Sequence, residues 1–160
     1  MIRKILLLGE VDLYKRSDEV APGEEIQEMI HDLHDTLMDF KERYRMGRAI
    51  AAPQIGVRKR IIYLFIDSPM IFLNPVLSFP DEECMEVLDD CMSFPNLLVK
   101  VKRYRRCQVK YFDENWMERK ILLEGDLAEL LQHEYDHLDG ILATMRAVDN
   151  QSFFMKKGKI

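Results

Sequence analysis

The stretch Leu130–Gly140, "LLQHEYDHLDG", limits the fold of this chain more than any other. His133 and His137 are four apart with Glu134 between them, and side chains four apart share a face only on a helix. On a wheel of about 100° per residue with Leu127 at zero, Leu131, Glu134 and Leu138 fall within about 40° of it. The two histidines flank that leucine stripe, while Glu129, Gln132 and Asp136 point elsewhere. The helix is thus expected to bury its leucine face and to carry a glutamate into it. An unpartnered carboxylate there costs several kcal/mol. A metal ion with its water would supply both a hydrogen-bond donor and a positive neighbour. H-E-x-x-H is the spacing of hydrolytic metal sites.

Two histidines do not hold a catalytic metal, so a third ligand is needed. Metalloproteases with this helix often take it downstream. Here the position six after His137 is Ala143, and no His or Glu follows Leu138. Asp139 is adjacent on the wrong side of the helix, and Asp149 is a weak candidate. The ligand is therefore sought upstream. Cys91 in "LDDCMSFPN" is the first choice, because a short strand precedes it and Ser-Phe-Pro can turn the chain. Cys84 in "DEECME" is the second. His31 and His34 flank the stripe of an earlier helix and read as solvent-edge residues.

The rest of the chain sets the frame. Its 160 residues suit one domain over 1–160 with a sizeable core. A net charge of −5 argues against nucleic acid or anionic membrane as a partner. The basic run "VKVKRYRRC" (99–107) alternates as a solvated strand face does. The apolar run Ile5–Leu8 is too short for a secretory signal, which needs about 7–15 residues, and reads as a first strand. The run Ile61–Ile66 is far short of a membrane span. Three cysteines in no framework of spacings fit a reducing compartment.

An apolar stripe at three- and four-residue spacing, Ile26 to Tyr44, predicts a helix over about 24–45, with Gly47 as its stop. Strands are expected at 59–66, 71–73, 98–104, 107–112 and 117–123, with Cys107 in the core. Asp126 and Glu129 resemble a capping box ahead of the last helix, and Gly140 could end it. One helix, many short strands and a second helix make an α+β fold with one buried helix.

A third segment, "GRAIAAPQIGV" (47–57), has small residues that let backbone approach a ligand, with Pro53 fixing the chain and Gln54 presenting an amide. Together the three segments resemble the peptide deformylase family, whose ordered patterns are G-x-G-L-A-A-P-Q-x-G, E-G-C-L-S and Q-H-E-x-D-H. Here they read Gly47–Gly56, then Asp89-Asp90-Cys91-Met92-Ser93, then Gln132–His137. The resemblance implies short antiparallel β-sheets around a central helix that carries the H-E-x-x-H motif. It implies Cys91, His133 and His137 as metal ligands, with Fe(II) native and Zn(II), Ni(II) or Co(II) able to replace it. It further implies removal of the N-formyl group from the N-terminal methionine of nascent polypeptides. Glu134 would act as general base and acid on a water at the metal, with Gln54 and the Met92 backbone N–H holding the oxyanion. Asp136 would stand behind the ligands, paired with Arg103 or Arg105. A cytoplasmic monomer, transiently near the ribosome exit region, completes the expectation.

The chain departs from the pattern at Ala49, Ile50, Asp89, Asp90 and Met92. Ala49, Ile50, Asp89 and Asp90 are expected to line the substrate pocket, where Asp in place of Gly at position 90 narrows the backbone and adds charge. Asp126 is a further polar substitution, and Glu114-Asn115 replaces the family's turn. Two other readings stand beside deformylation: a related hydrolase acting on another N-formyl or N-acyl amine, and a non-catalytic metal-binding homologue.

Overall fold

Eight strands and two α-helices are found in the computed structural model, which describes residues 1–157. Five strands form one antiparallel sheet: β1 (Ala49–Ala51), β2 (Ile61–Phe65), β3 (Pro69–Ser78), β6 (Arg106–Phe112) and β7 (Glu118–Glu124), in the order β1-β2-β3-β6-β7. A second antiparallel sheet has the order β4-β5-β8, from β4 (Cys84–Asp89), β5 (Leu97–Tyr104) and β8 (Phe153–Met155). The helices are α1 (Gln27–Tyr44) and α2 (Asp126–Leu138). The fold is α+β, as expected.

Helix α2 is the centre of the molecule. It packs against β1 and β7 of the larger sheet and β5 of the smaller. Its expected two-sided character is therefore corrected: Gln132 and Asp136 are buried along with Leu131, Glu134 and Leu138. Leu127, at 37 % exposed, lies outside the buried stripe. A helix between two sheets has no solvent face for most of its length, so even its polar side chains find partners inside. Gln132 shows how. Its amide accepts from the Tyr104 N–H at 2.9 Å and donates to the Tyr104 carbonyl at 2.8 Å, tying α2 to the end of β5.

Several local expectations change. Ile5–Leu8 is not a strand. Leu6 N–H donates to the Gln54 carbonyl and Leu8 N–H to the Ser93 carbonyl. The segment thus staples two different loops and joins no ladder. Helix α1 stops before Gly47, because Arg45 itself takes the left-handed conformation at φ 57°. Strand β3 runs past Leu73, through a register shift between Leu73 and Val76. Asn74 absorbs that shift at φ 48° and bonds both backbone groups of Val20. The expected capping box at Asp126 is absent: Gly125 occupies the N-cap without a side-chain bond, and Asp126 is exposed in the first turn. Gly140 follows the end of α2 at φ +74°, and a Cβ there would lie 2.5 Å from the Tyr14 carbonyl oxygen.

The basic run 99–107 is only half solvated. Lys102 is exposed, but Arg103 shares the inward phase of Val99 and Val101 and is buried. Cys107 is fully buried, as expected. His31 is exposed, while His34 bonds Tyr63 Oη at 2.7 Å.

Candidate metal centre

Cys91 stands two residues past the end of β4, and His133 and His137 project from successive turns of α2. Their donor atoms lie within 4.8 Å of one another, and all three residues are buried. They are the one His/Cys/Asp/Glu group able to hold a metal among the described residues, so Cys84 and Asp149 drop out as third ligands. Cys84 bonds the Glu82 carbonyl, and Asp149 turns back to Ser152.

The donors suit an ion. Cys91 Sγ and His137 Nε2 are 3.3 Å apart. Two ligands with bonds of about 2.3 and 2.1 Å at a tetrahedral angle lie roughly 3.6 Å apart. Burial holds the His137 imidazole well below its ordinary pKa, hence neutral with a free lone pair. Burial also opposes charge on His133, but the Cys91 sulfur and Asp89 outweigh it and raise its pKa. The His133 Nδ1–H donates to Asp89 Oδ2 at 3.0 Å, which turns Nε2 toward the sulfur. Glu134 Oε2 and His137 Nδ1 are buried without a partner among the described residues. An uncompensated carboxylate oxygen beside a thiol and two imidazoles fits an ion and its solvent better than an apolar core.

Behind the donors lies a buried charge network. Arg103 Nη2 donates to Asp89 Oδ2 at 2.6 Å and Nη1 to Asp136 Oδ2 at 2.7 Å. Arg146 closes the chain, with Nε 2.6 Å from Asp136 Oδ2 and Nη2 2.9 Å from Asp136 Oδ1. Of the two expected partners of Asp136, Arg103 is the one found, and Arg105 pairs with Glu83. Burial alone would raise the Asp89 pKa, but the bonds from His133 and Arg103 hold it well below the usual carboxylate range.

Gln54 follows β1 in a 3-10 turn. Its Oε1 accepts from Ala51 N–H at 2.9 Å, and its Nε2 reaches Ser93 Oγ at 3.2 Å and Cys91 Sγ at 3.5 Å. The carboxamide is thereby fixed beside the donors. Met92 is buried between Cys91 and Ser93, and its side chain joins the core under α1.

A cleft of about 360 Å³ opens onto Cys91, His133 and Glu134. Of the four expected pocket residues, Ala49, Asp89 and Asp90 line the cleft and Ile50 needs correction. Ile50 is fully buried in the core under α1, so Ala49 reaches the cleft and Ile50 does not. Asp89 borders the cleft, but its carboxylate is committed to His133 and Arg103. Asp90 does face the cleft, paired with Lys156 at 3.3 Å, and it stays outside the left-handed region, so it brings charge without backbone strain. Sequence reasoning missed Arg48 and Glu129, which pair across the same cleft at 3.3 Å. Spacing alone gave a faint signal for Glu129, which lies one turn before His133.

Burial pushes the Glu134 pKa up to about 7. The carboxyl is thus poised between proton acceptor and donor near neutrality.

An α+β fold with a thiol and two helical imidazoles beside a buried carboxylate defines a metal-dependent hydrolase. The polypeptide deformylase family profile matches residues 2–153. Peptide deformylase 1 of Prochlorococcus marinus is 35 % identical over 166 residues, covering 95 % of this chain and 84 % of the relative. The crystal structure of peptide deformylase from Thermotoga maritima superposes with a TM-score of 0.85 at 29 % identity, covering 93 % of this chain and 99 % of that one. That of the Synechococcus elongatus enzyme in complex with actinonin gives 0.84 at 27 %, covering 91 % and 79 %. The chain belongs to the peptide deformylase family and is an N-terminal deformylating hydrolase. Family and donor set together imply a divalent metal. Neither alternative reading, another amine or a non-catalytic binder, gains support from these relatives.

Proposed function

We propose that residues 1–160 form one catalytic domain that removes the formyl group from N-formylmethionyl peptides, with Cys91, His133 and His137 holding the ion and Glu134 moving the proton. Fe(II) is the native ion in this reading, since one thiolate with two imidazoles suits the softer divalent metals, and zinc, nickel or cobalt can take its place. Such an ion, when bound, acts as a Lewis acid and brings the pKa of water toward neutrality.

The protein's own residues do the rest. Glu134 takes a proton from the attacking water and returns it to the leaving amine, a double role suited to a carboxyl near pH 7. The Gln54 amide, fixed by Ala51 and Ser93, donates to the oxygen of the tetrahedral intermediate, together with the Met92 backbone N–H. Asp89 orients His133, and Arg103 holds Asp89 against Asp136. Burial of these groups keeps bulk water from competing.

The substrate is then a nascent peptide near the ribosome exit region, met by a monomer in the cytoplasm. No helix among the described residues is long and apolar enough to cross a membrane. The observation that carries the reading is the buried Glu134 carboxylate, with one oxygen unpartnered, in the cleft that also reaches Cys91 and His133.

The test is anaerobic loading with Fe(II) and formate release from formyl-Met-Ala-Ser. Glu134→Ala should abolish turnover while binding metal normally, and Gln54→Ala should cost about 10²–10³ in kcat. Turnover of other formylated amines alone would favour the related hydrolase. Near-full activity of Glu134→Ala would remove its proton role.

A further inference from the structure

The cleft beside Glu134 has a charged wall that the proton chemistry does not use. Arg48 stands just before β1 and Glu129 lies in the first turn of α2, with Arg48 Nη2 3.3 Å from Glu129 Oε1. The Arg48 side chain is 43 % exposed and that of Glu129 15 %, so the guanidinium sits at the mouth and the carboxyl deeper. Leu130 and Met92 supply apolar surface in the same cleft. Glu129 precedes His133 by one helical turn, which places it on the donor side of α2.

We propose that the Arg48–Glu129 pair is a specificity determinant for the first side chain of the formyl peptide, admitting the neutral amide of glutamine alongside the thioether of methionine. The inference rests on the deformylase reading, because only a substrate whose first amide lies at Glu134 must put that residue's side chain here. Glutamine matches methionine in length. Its amide oxygen can accept from the guanidinium and its NH₂ can donate to the carboxylate. A thioether is only a weak acceptor and has nothing to donate.

Charged side chains fit worse than either. An acidic one would bring a third carboxyl group beside Glu129 and Asp89. A cationic one would join Arg48, with Lys41 and Arg45 also on the cleft. Polar pockets discriminate because a ligand without the matching groups leaves theirs unpaired.

The experiment uses metal-loaded protein and two readouts. One is kcat/KM for formyl-Met-Ala-Ser and formyl-Gln-Ala-Ser. The other is calorimetric binding of the product peptides Met-Ala-Ser and Gln-Ala-Ser. Joint replacement of the pair, Arg48→Leu with Glu129→Leu, should raise the Met/Gln ratio about tenfold in both readouts. Glu129→Gln keeps an acceptor for Arg48 and should move the ratio no more than about threefold. Should the double variant fail to fold, Arg48→Leu alone must shift both ratios in the same direction. Unmoved ratios in a folded, active variant overturn this inference and leave deformylation standing. A shifted binding ratio with no formate released from either substrate by the wild-type protein would support the pocket assignment and sink the deformylase reading.

Discussion

Asp89 Oδ2 lies 3.0 Å from His133 Nδ1, so the imidazole we propose as a ligand is held by a carboxylate from the end of β4. That bond fixes which nitrogen bears the proton and aims Nε2 at Cys91. Removing it frees the ring to turn and lowers its basicity as a ligand. Asp89→Asn should therefore weaken metal binding about 10–100-fold, at nearly unchanged side-chain volume. Competition with a chromogenic zinc chelator measures this directly. Affinity equal to wild type would mean that the bond does not orient the ligand.

Arg103 bonds Asp89 alongside His133, and it shares Asp136 with Arg146. Cutting a buried pair at one partner leaves its counter-charge stranded, which typically costs about 3–5 kcal/mol. Arg103→Met, which keeps much of the aliphatic volume, should be destabilised by about that amount in urea unfolding. Adding Asp89→Asn should restore part of the loss, since it removes one stranded charge. A strictly additive double variant would argue that the two side chains are uncoupled.

The same residues show how far the sequence could be read. The spacing of His133, Glu134 and His137, with a leucine stripe beside them, required a buried helix, and that helix is α2. The upstream search for a third donor reached Cys91 because so few candidates follow Leu138. Where the reading fell short, tertiary packing overrode a local pattern. The wheel turned Gln132 and Asp136 away from the leucine stripe, but a second sheet covers that side, which no single-helix pattern reveals. The strand expected at 71–73 stops short, because a bulge with Asn74 carries β3 on to Ser78. Ile5–Leu8 looked like a strand because its composition is strand-like, yet no ladder partner lies beside it among the described residues. Arg103 was legible in principle, being in phase with Val99 and Val101 in an alternating run. The Arg48–Glu129 pair was not, because 81 residues separate its members, Arg48 fills a variable position of the first motif, and Glu129 read only as part of a helix cap.

Burial raises the Cys107 thiol to about 11 from an ordinary 9.0. Between those values the folded protein keeps a proton that the unfolded chain loses, so stability falls as pH rises through that window. Cys107→Ala should show a weaker decline between pH 9 and 11 than the wild type, whatever its loss at neutral pH. In zinc-loaded protein at pH 8, iodoacetamide should modify Cys84 first, because Cys107 is buried and protonated and Cys91 is a ligand in our proposal. Mass spectrometry after proteolysis locates the label. Early labelling of Cys107 would show that its surroundings open far more readily than a packed core does.

Glu134 yields a prediction that separates its cost from its use. In the metal-free protein its folded pKa is about 7 against an ordinary 4.5, because burial disfavours the carboxylate. The folded state therefore binds the proton more tightly. The neutral carboxyl is tolerated below pH 4.5, and the penalty of charging it grows until about pH 7. A shift of this size corresponds to about 3 kcal/mol. Glu134→Gln, which cannot ionise, should thus be about as stable as wild type near pH 4.5 and more stable by up to about 3 kcal/mol at pH 8. Zinc should shrink that advantage, since a neighbouring cation favours the carboxylate. Urea titrations of both proteins at the two pH values, with and without zinc, give the four numbers required. A Glu134→Gln protein no more stable than wild type at pH 8 without metal would mean that the carboxylate already has a partner. The burial penalty on which its role as a poised base depends would then be absent.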